Sequence, residues 1–129
     1  MSFRDFLAEK YPEVTGKIKN GENISCPKLE DFLTYIVNTN IIDISGVDFS
    51  KNQPIIIENR GLVCLVAENA DYEGGITLKS VIVAGNISFR GSEIKKVLSL
   101  SNIKCAKIIF PEKTEKISVT EELIISPEI

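Results

Sequence analysis

The chain contains no histidine. That removes Ser–His and Cys–His nucleophile pairs, the ordinary near-neutral proton shuttle and the commonest transition-metal ligand. Enzymatic chemistry, if any, would have to rest on carboxylates. Cysteine is scarce: Cys26, Cys64 and Cys105 stand far apart, odd in number and outside C-x-x-C spacing. This speaks against a disulfide framework and a zinc knuckle. Cys64 and Cys105 fall in apolar runs, where a thiol acts as a small hydrophobe. No apolar run nears the ~20 residues of a membrane span. The start, MSFRDFLAEKYPEV, lacks the long apolar stretch of a secretory signal. The expectation is a cytoplasmic protein without membrane contact, metal, cofactor or catalytic residues.

The 129 residues are read as one domain, 1–129, with 43% hydrophobic and 26% charged residues, the balance of a soluble globular chain. Residues 1–40 are predicted to form a helical cap. Ser2 is a good N-cap, Phe3, Phe6, Leu7 and Tyr11 follow near helical spacing, and Pro12 should end that helix. GKIKNGEN reads as a turn-rich link. SCPKLEDFLTYIVNTN is the stronger helix, with Ser25 or Cys26 as its cap and Pro27 in its first turn. Leu29, Phe32, Leu33, Ile36 and Val37 form its apolar stripe, and Glu30 and Asp31 sit where the helix dipole favours anions.

From Ile41 the pattern changes, and 41–129 is expected to be a strand-rich repeat region. Apolar-x-apolar triads recur: Ile55/Ile57, Leu65/Ala67, Ile76/Leu78, Val81/Val83, Ile87/Phe89, Leu98/Leu100, Ile103/Cys105, Ile108/Phe110, Ile117/Val119 and Leu123/Ile125. Period two marks short strands with alternating faces. Successive triads often start five or six residues apart, as at 76, 81, 87 and at 98, 103, 108. Gaps this short suit a chain that bends through corners and winds on, with Gly74, Gly75, Gly85 and Gly91 supplying corners. The predicted fold is mainly β: an irregular right-handed β-solenoid with an N-terminal helical cap. PIIIENRGLVCLV also fits an antiparallel hairpin around Glu58–Gly61, which leaves an α+β fold with an antiparallel, sandwich-like sheet as the alternative.

Several segments resemble pentapeptide-repeat sequences: GVDFS (46–50), ADYEG (70–74), GNISF (85–89), SNIKC and AKIIF (101–110). That resemblance implies a four-sided right-handed β-helix. LKSVIV, IKKVLS and CAKIIFPEKTEKISV are similar to irregular leucine-rich repeats of bacterial surface proteins. Both families are repeat solenoids. The acidic, DNA-imitating surface of the gyrase-directed pentapeptide proteins does not carry over, because residues 79–116 hold eight cations and three anions.

Within that basic block, Lys79, Lys95, Lys96, Lys107 and Lys116 are candidates for a polyanion- or partner-binding stripe. The alternative is a solvated face whose lysines discourage edge-to-edge aggregation. Aromatic residues do not interleave with the lysines in the way base stacking requires. The carboxylate pairs Asp71/Glu73 and Glu121/Glu122 keep a small carbohydrate-active enzyme as a further alternative. At the C-terminus, Leu123, Ile124, Ile125 and Ile129 have no second cap after them, so a homodimer through residues 117–129 is expected. The function expected first is a non-enzymatic binding or structural module acting through protein–protein interaction or self-assembly. Weak nucleic-acid binding stands second.

Overall fold

Every strand pairing in the computed structural model, which describes residues 1–126, is parallel. The long strands β4 (Ile55–Leu62), β7 (Ile76–Val83), β10 (Leu98–Cys105) and β13 (Ile117–Ile125) stack in one sheet. The strands β2 (Ile41–Asp43), β5 (Cys64–Val66), β8 (Asn86–Ser88) and β11 (Lys107–Ile109) stack in a second. The short β6 (Asp71–Tyr72), β9 (Glu93–Ile94) and β12 (Lys113–Thr114) form a third. A bridge from Phe49 to Tyr72 continues that third face to β3 (Val47–Asp48), which pairs with β1 (Ile24–Ser25). Ile55 lies beside Ile76, Ile76 beside Leu98 and Leu98 beside Ile117, so successive coils take 21, 22 and 19 residues. The fold is a β-solenoid of about five turns.

The antiparallel alternative is thereby excluded, and the hairpin it placed at Glu58–Gly61 does not form. β4 runs through that segment and bends in place. Its fifth residue, Asn59, has φ 54°, and the equivalent residues of the other long strands repeat the left-handed conformation: Ser80 at 53°, Asn102 at 55°, Glu121 at 59°. A hairpin loop and a solenoid corner both need a residue at positive φ, which Asn tolerates, so Glu-Asn-Arg-Gly fits either. A second corner stacks Gly46 (φ 71°), Asn69 (55°) and Gly91 (71°). At Gly91 a Cβ would come within 2.2 Å of Asn69 Oδ1, so a side chain there would have to displace the Asn69 amide as well as adopt positive φ.

The corners divide each coil into four inward-facing runs; the sequence triads belong to the first three, while Ile42/Ile44 and the whole fourth run are not among them. Ile55/Ile57, Ile76/Leu78 and Leu98/Leu100 stack on the first; Val81/Val83 and Ile103/Cys105 on the second. Ile42/Ile44, Leu65/Ala67 and Ile87/Phe89 stack on the third; Val47/Phe49, Ala70/Tyr72 and Ser92/Ile94 on the fourth. All are buried. The inward Ser92 is satisfied: its hydroxyl donates to the Ala67 carbonyl at 2.6 Å and accepts the Ala70 N–H at 3.3 Å. Arg60 stands in the second run, one coil below Val81. Its guanidinium donates to the Thr39 carbonyl at 2.6 Å and so fills the first, incomplete coil.

The N-terminal segment covers that first coil. α1 (Phe3–Lys10) is capped as expected, Ser2 Oγ accepting the Asp5 N–H at 3.1 Å. A 3-10 turn (Pro12–Val14) and a short helix, α2 (Thr15–Lys19), follow. The expected link is therefore partly helical, because its turn chemistry begins only at Gly21, φ 72°. α3 (Leu29–Val37) starts after Lys28, which makes no side-chain cap. Ser25 lies in β1, and the Cys26 thiol donates to the Lys28 carbonyl instead, so neither caps the helix.

The stripe of α3 is also rotated from the expected one. Asp31, Phe32, Tyr35 and Ile36 are buried, whereas Leu33 and Val37 are 45% and 74% exposed. Two polar contacts turn the helix this way. Tyr35 donates its hydroxyl to the Met1 carbonyl at 2.8 Å and accepts the Asp43 N–H at 3.1 Å. Asp31 accepts from Lys10 Nζ at 2.5 Å and from Tyr11 OH at 2.8 Å. Phe32 meets Phe3 and Phe49 edge-on at 5.9 and 5.5 Å, plugging the open coil with rings. No helix among the described residues is long and apolar enough to cross a membrane.

Candidate interaction surfaces

The five candidate lysines occupy three stations of the coil. Lys79 lies on the outer face of the long sheet, in register with Glu58. Lys107 opens β11 in the second sheet, beside Asn86. Lys95, Lys96 and Lys116 gather at the corner that leads into the long sheet, where Val97 and Lys116 precede the paired Leu98 and Ile117. Lys95 Nζ donates to the Glu73 carboxylate at 3.3 Å, and that hydrogen bond raises the lysine's pKa. Lys96 donates its backbone N–H to Glu115 at 2.8 Å and its ammonium to the Lys51 carbonyl at 3.1 Å. The structure thus brings three of the five together and leaves Lys79 and Lys107 apart.

Stacking produces an opposite feature on the fourth face. Asp48, Asp71 and Glu93 lie in successive coils, with Lys113 next in line. Asp48 is held by Asn23 Nδ2 at 3.1 Å and by the Asp71 N–H at 2.9 Å. Burial pushes the Asp71 carboxyl above the usual range, and Asp48 and Glu93 add to the rise. Beside the cap, a cleft of about 400 Å³ is lined by Ser25, Cys26, Asp48, Gln53, Asp71 and Glu73. Desolvation first, then the Asp31 carboxylate, pushes the Cys26 thiol up to about 12, which holds it in its unreactive form. Among the described residues no group of three His, Cys, Asp or Glu is placed to hold a metal ion. Glu121 and Glu122 sit at a corner of the last coil, far along the stack from Asp71 and Glu73.

The far end of the solenoid differs from every other part of its surface. The register of β13 on β10 points Ile117, Val119, Leu123 and Ile125 into the core, in line with Leu98, Leu100, Ile103 and Cys105. The latter four are 0%, 0%, 1% and 2% exposed; Ile117, Val119 and Ile125 are 41%, 48% and 45% exposed. Phe110 repeats the contrast at 42%, against 0% for Phe89 in its row. These side chains are oriented as core, but no coil of the described residues lies over them. Among the described residues no strand pairs with the outer edge of β13.

Of the residues expected at an interface, Leu123 and Ile125 belong to this end face, while Ile124 points outward in register with Lys104. Ile129 lies outside the described residues. Ile117 and Val119 lie inside the span 117–129 expected to pair, though not singled out within it; Phe110 lies outside that span. Their triads were visible, but a triad says that a residue faces inward, not whether another coil covers it.

No family model, characterised protein or solved structure matches the chain. The repeat-solenoid architecture is established by the fold; neither the pentapeptide-repeat nor the leucine-rich-repeat family is.

Proposed function

We propose that the protein is a non-enzymatic interaction module that docks through the open end of its solenoid. One observation carries this: the inward-facing rows are buried through the solenoid and become about half exposed only at its C-terminal end, at Phe110 and along β13. Water-exposed core surface of this kind is unfavourable by ~25 cal/mol per Å² of apolar area. A contiguous apolar face rimmed by polar groups is what interaction sites look like on soluble proteins. The three free cysteines fit a reducing compartment inside the cell. The four inward runs per coil agree with the pentapeptide-repeat resemblance as a description of shape.

The lysine corner supports polyanion binding less well, since Lys95 engages Glu73 and Lys96 engages Lys51. Hydroxyl-radical footprinting of the 129-residue chain, from nanomolar to high micromolar concentration, tests the proposal. Labelling of Phe110, Val119 and Ile125 should fall steeply as a partner covers them, while Leu33 and Val37 on the cap stay constant. Constant labelling of all five residues across that range, in the purified chain and in extract of the source cell, would refute it.

A further inference from the structure

Resting on the docking role of the open end, we infer that its occupant is a second copy of this chain, related by a two-fold axis, and that assembly stops at two. Three observations lead there.

The first concerns the edge. β13 offers an unpaired run of backbone N–H and C=O groups beside exposed apolar side chains. Its first half, Ile117-Ser118-Val119-Thr120, is rich in β-branched residues and has neither proline nor lysine, the usual devices that block strand addition. The register shift at Glu121 and Glu122 interrupts only the second half. An identical strand meeting this edge about a two-fold axis pairs with it antiparallel, and inward faces stay inward.

The second concerns charge. The segment is bounded by Lys116 at one end, where the carboxylate of the neighbouring Glu115 is taken up by the Lys96 N–H, and by Glu121 and Glu122 at the other. Antiparallel pairing centred on Val119, which sets inward Val119 against its copy and outward Ser118 against outward Thr120, exchanges these ends. Each Lys116 then faces the partner's acidic corner, twice per dimer. Parallel addition would set lysine against lysine and glutamate against glutamate. The rim is thus complementary to itself in one orientation, as an isologous interface requires.

The third concerns the opposite end. A head-to-tail contact would need an open coil at the N-terminal end too. There α1 and α3 cover the first coil, burying their own Phe3 and Phe32 against its Phe49. Among the described residues only one end of the stack is open, which yields a closed pair and no filament.

Sedimentation equilibrium of the 129-residue chain, repeated on charge variants, tests this. The chain should sediment as a dimer without larger species. Lys116→Glu places like charges at two symmetric contacts, and so does Glu121→Lys combined with Glu122→Lys. Each should weaken self-association by about tenfold or more. Mixing the two variants restores opposite charges at both contacts and should recover a one-to-one heterodimer. All these side chains are exposed, and unchanged circular dichroism verifies that the variants fold. A wild-type dimer with weakened variants and a rescued mixture supports the inference. Trimers or open polymers, dimers indifferent to these charges, or a failed rescue overturn it while leaving docking at the end face intact. A monomer at high micromolar concentration overturns it too; footprinting then shows whether the end face still takes another occupant.

Discussion

Truncating Phe32 to alanine separates a capped solenoid from a merely helical N-terminus. Phe32 is fully buried, with Phe3 and Phe49 edge-on at 5.9 and 5.5 Å. Phe→Ala in such a site costs about 3–5 kcal/mol, the lost transfer energy plus the cavity left behind. The two edge-to-face pairs, each worth ~0.5–1.5 kcal/mol beyond area burial, push the value toward the upper end. Since a domain's whole stability is about 5–15 kcal/mol, this is a large fraction of it. Val37→Ala on the same helix is the control. Val37 is 74% exposed, and alanine is the better helix former, so its change should stay within ~0.5 kcal/mol. Urea unfolding followed by circular dichroism reads both. With a slope of about 2 kcal/mol per M, the Phe32→Ala midpoint should fall by roughly 2 M, while Val37→Ala barely moves. A shift below ~0.5 M for Phe32→Ala, or equal shifts for the two variants, would refute the cap as described.

The solenoid was legible because its core is written as period-two triads, and the short gaps between them leave room for corners but not for successive hairpins. What stayed ambiguous was local. Asn59 in a left-handed conformation serves a hairpin loop and a corner equally, and only pairing with Ser80 and Asn102 in neighbouring coils decides between them. The rotation of α3 was illegible for a related reason. A stripe drawn by hydrophobicity selects Leu33 and Val37 and passes over Asp31, yet Asp31 is buried because Lys10 and Tyr11, twenty residues earlier, reach its two oxygens. The acidic row Asp48, Asp71, Glu93 lay hidden because neighbours along the stack stand 22 or 23 residues apart in the chain. Lys96 and Lys107, close in sequence, diverge because about half a coil separates them, which places them on different faces. Stacking, not proximity in the chain, decides what shares a face.

Three further outcomes follow from the same geometry. Gly75 has φ 82°, and a Cβ there would lie 2.8 Å from the Val97 carbonyl oxygen, so Gly75→Ala should destabilise by more than ~1 kcal/mol in urea melts; Lys96→Gly, which frees an exposed residue held at φ 62°, should be neutral or stabilising. Burial raises the pKa of Asp31, but the hydrogen bonds from Lys10 and Tyr11 outweigh it and hold the carboxyl below its usual 3.8. The stability Asp31 contributes is therefore complete above that value and lost as pH falls through the lowered one, and the gap between wild type and Asp31→Asn, measured from about pH 7 to 2, should be flat and then close. Finally, deleting Ile76–Val97 removes one whole coil and joins Gly75 to Leu98. Because Ile76 and Leu98 are register equivalents, the shortened chain sets Leu98 beside Ile55, Leu100 beside Ile57 and Cys105 beside Leu62, inward row on inward row. Nearest-neighbour stacking predicts a cooperative fold of lower stability, since one set of coil–coil contacts is lost and none is scrambled. Deleting half as much, Ile76–Asn86, keeps more of the chain but sets corners against strands, and should abolish cooperative unfolding. If the half-coil deletion melts as sharply as the whole-coil deletion, stability does not depend on coil register, and stacking is not what holds this protein together.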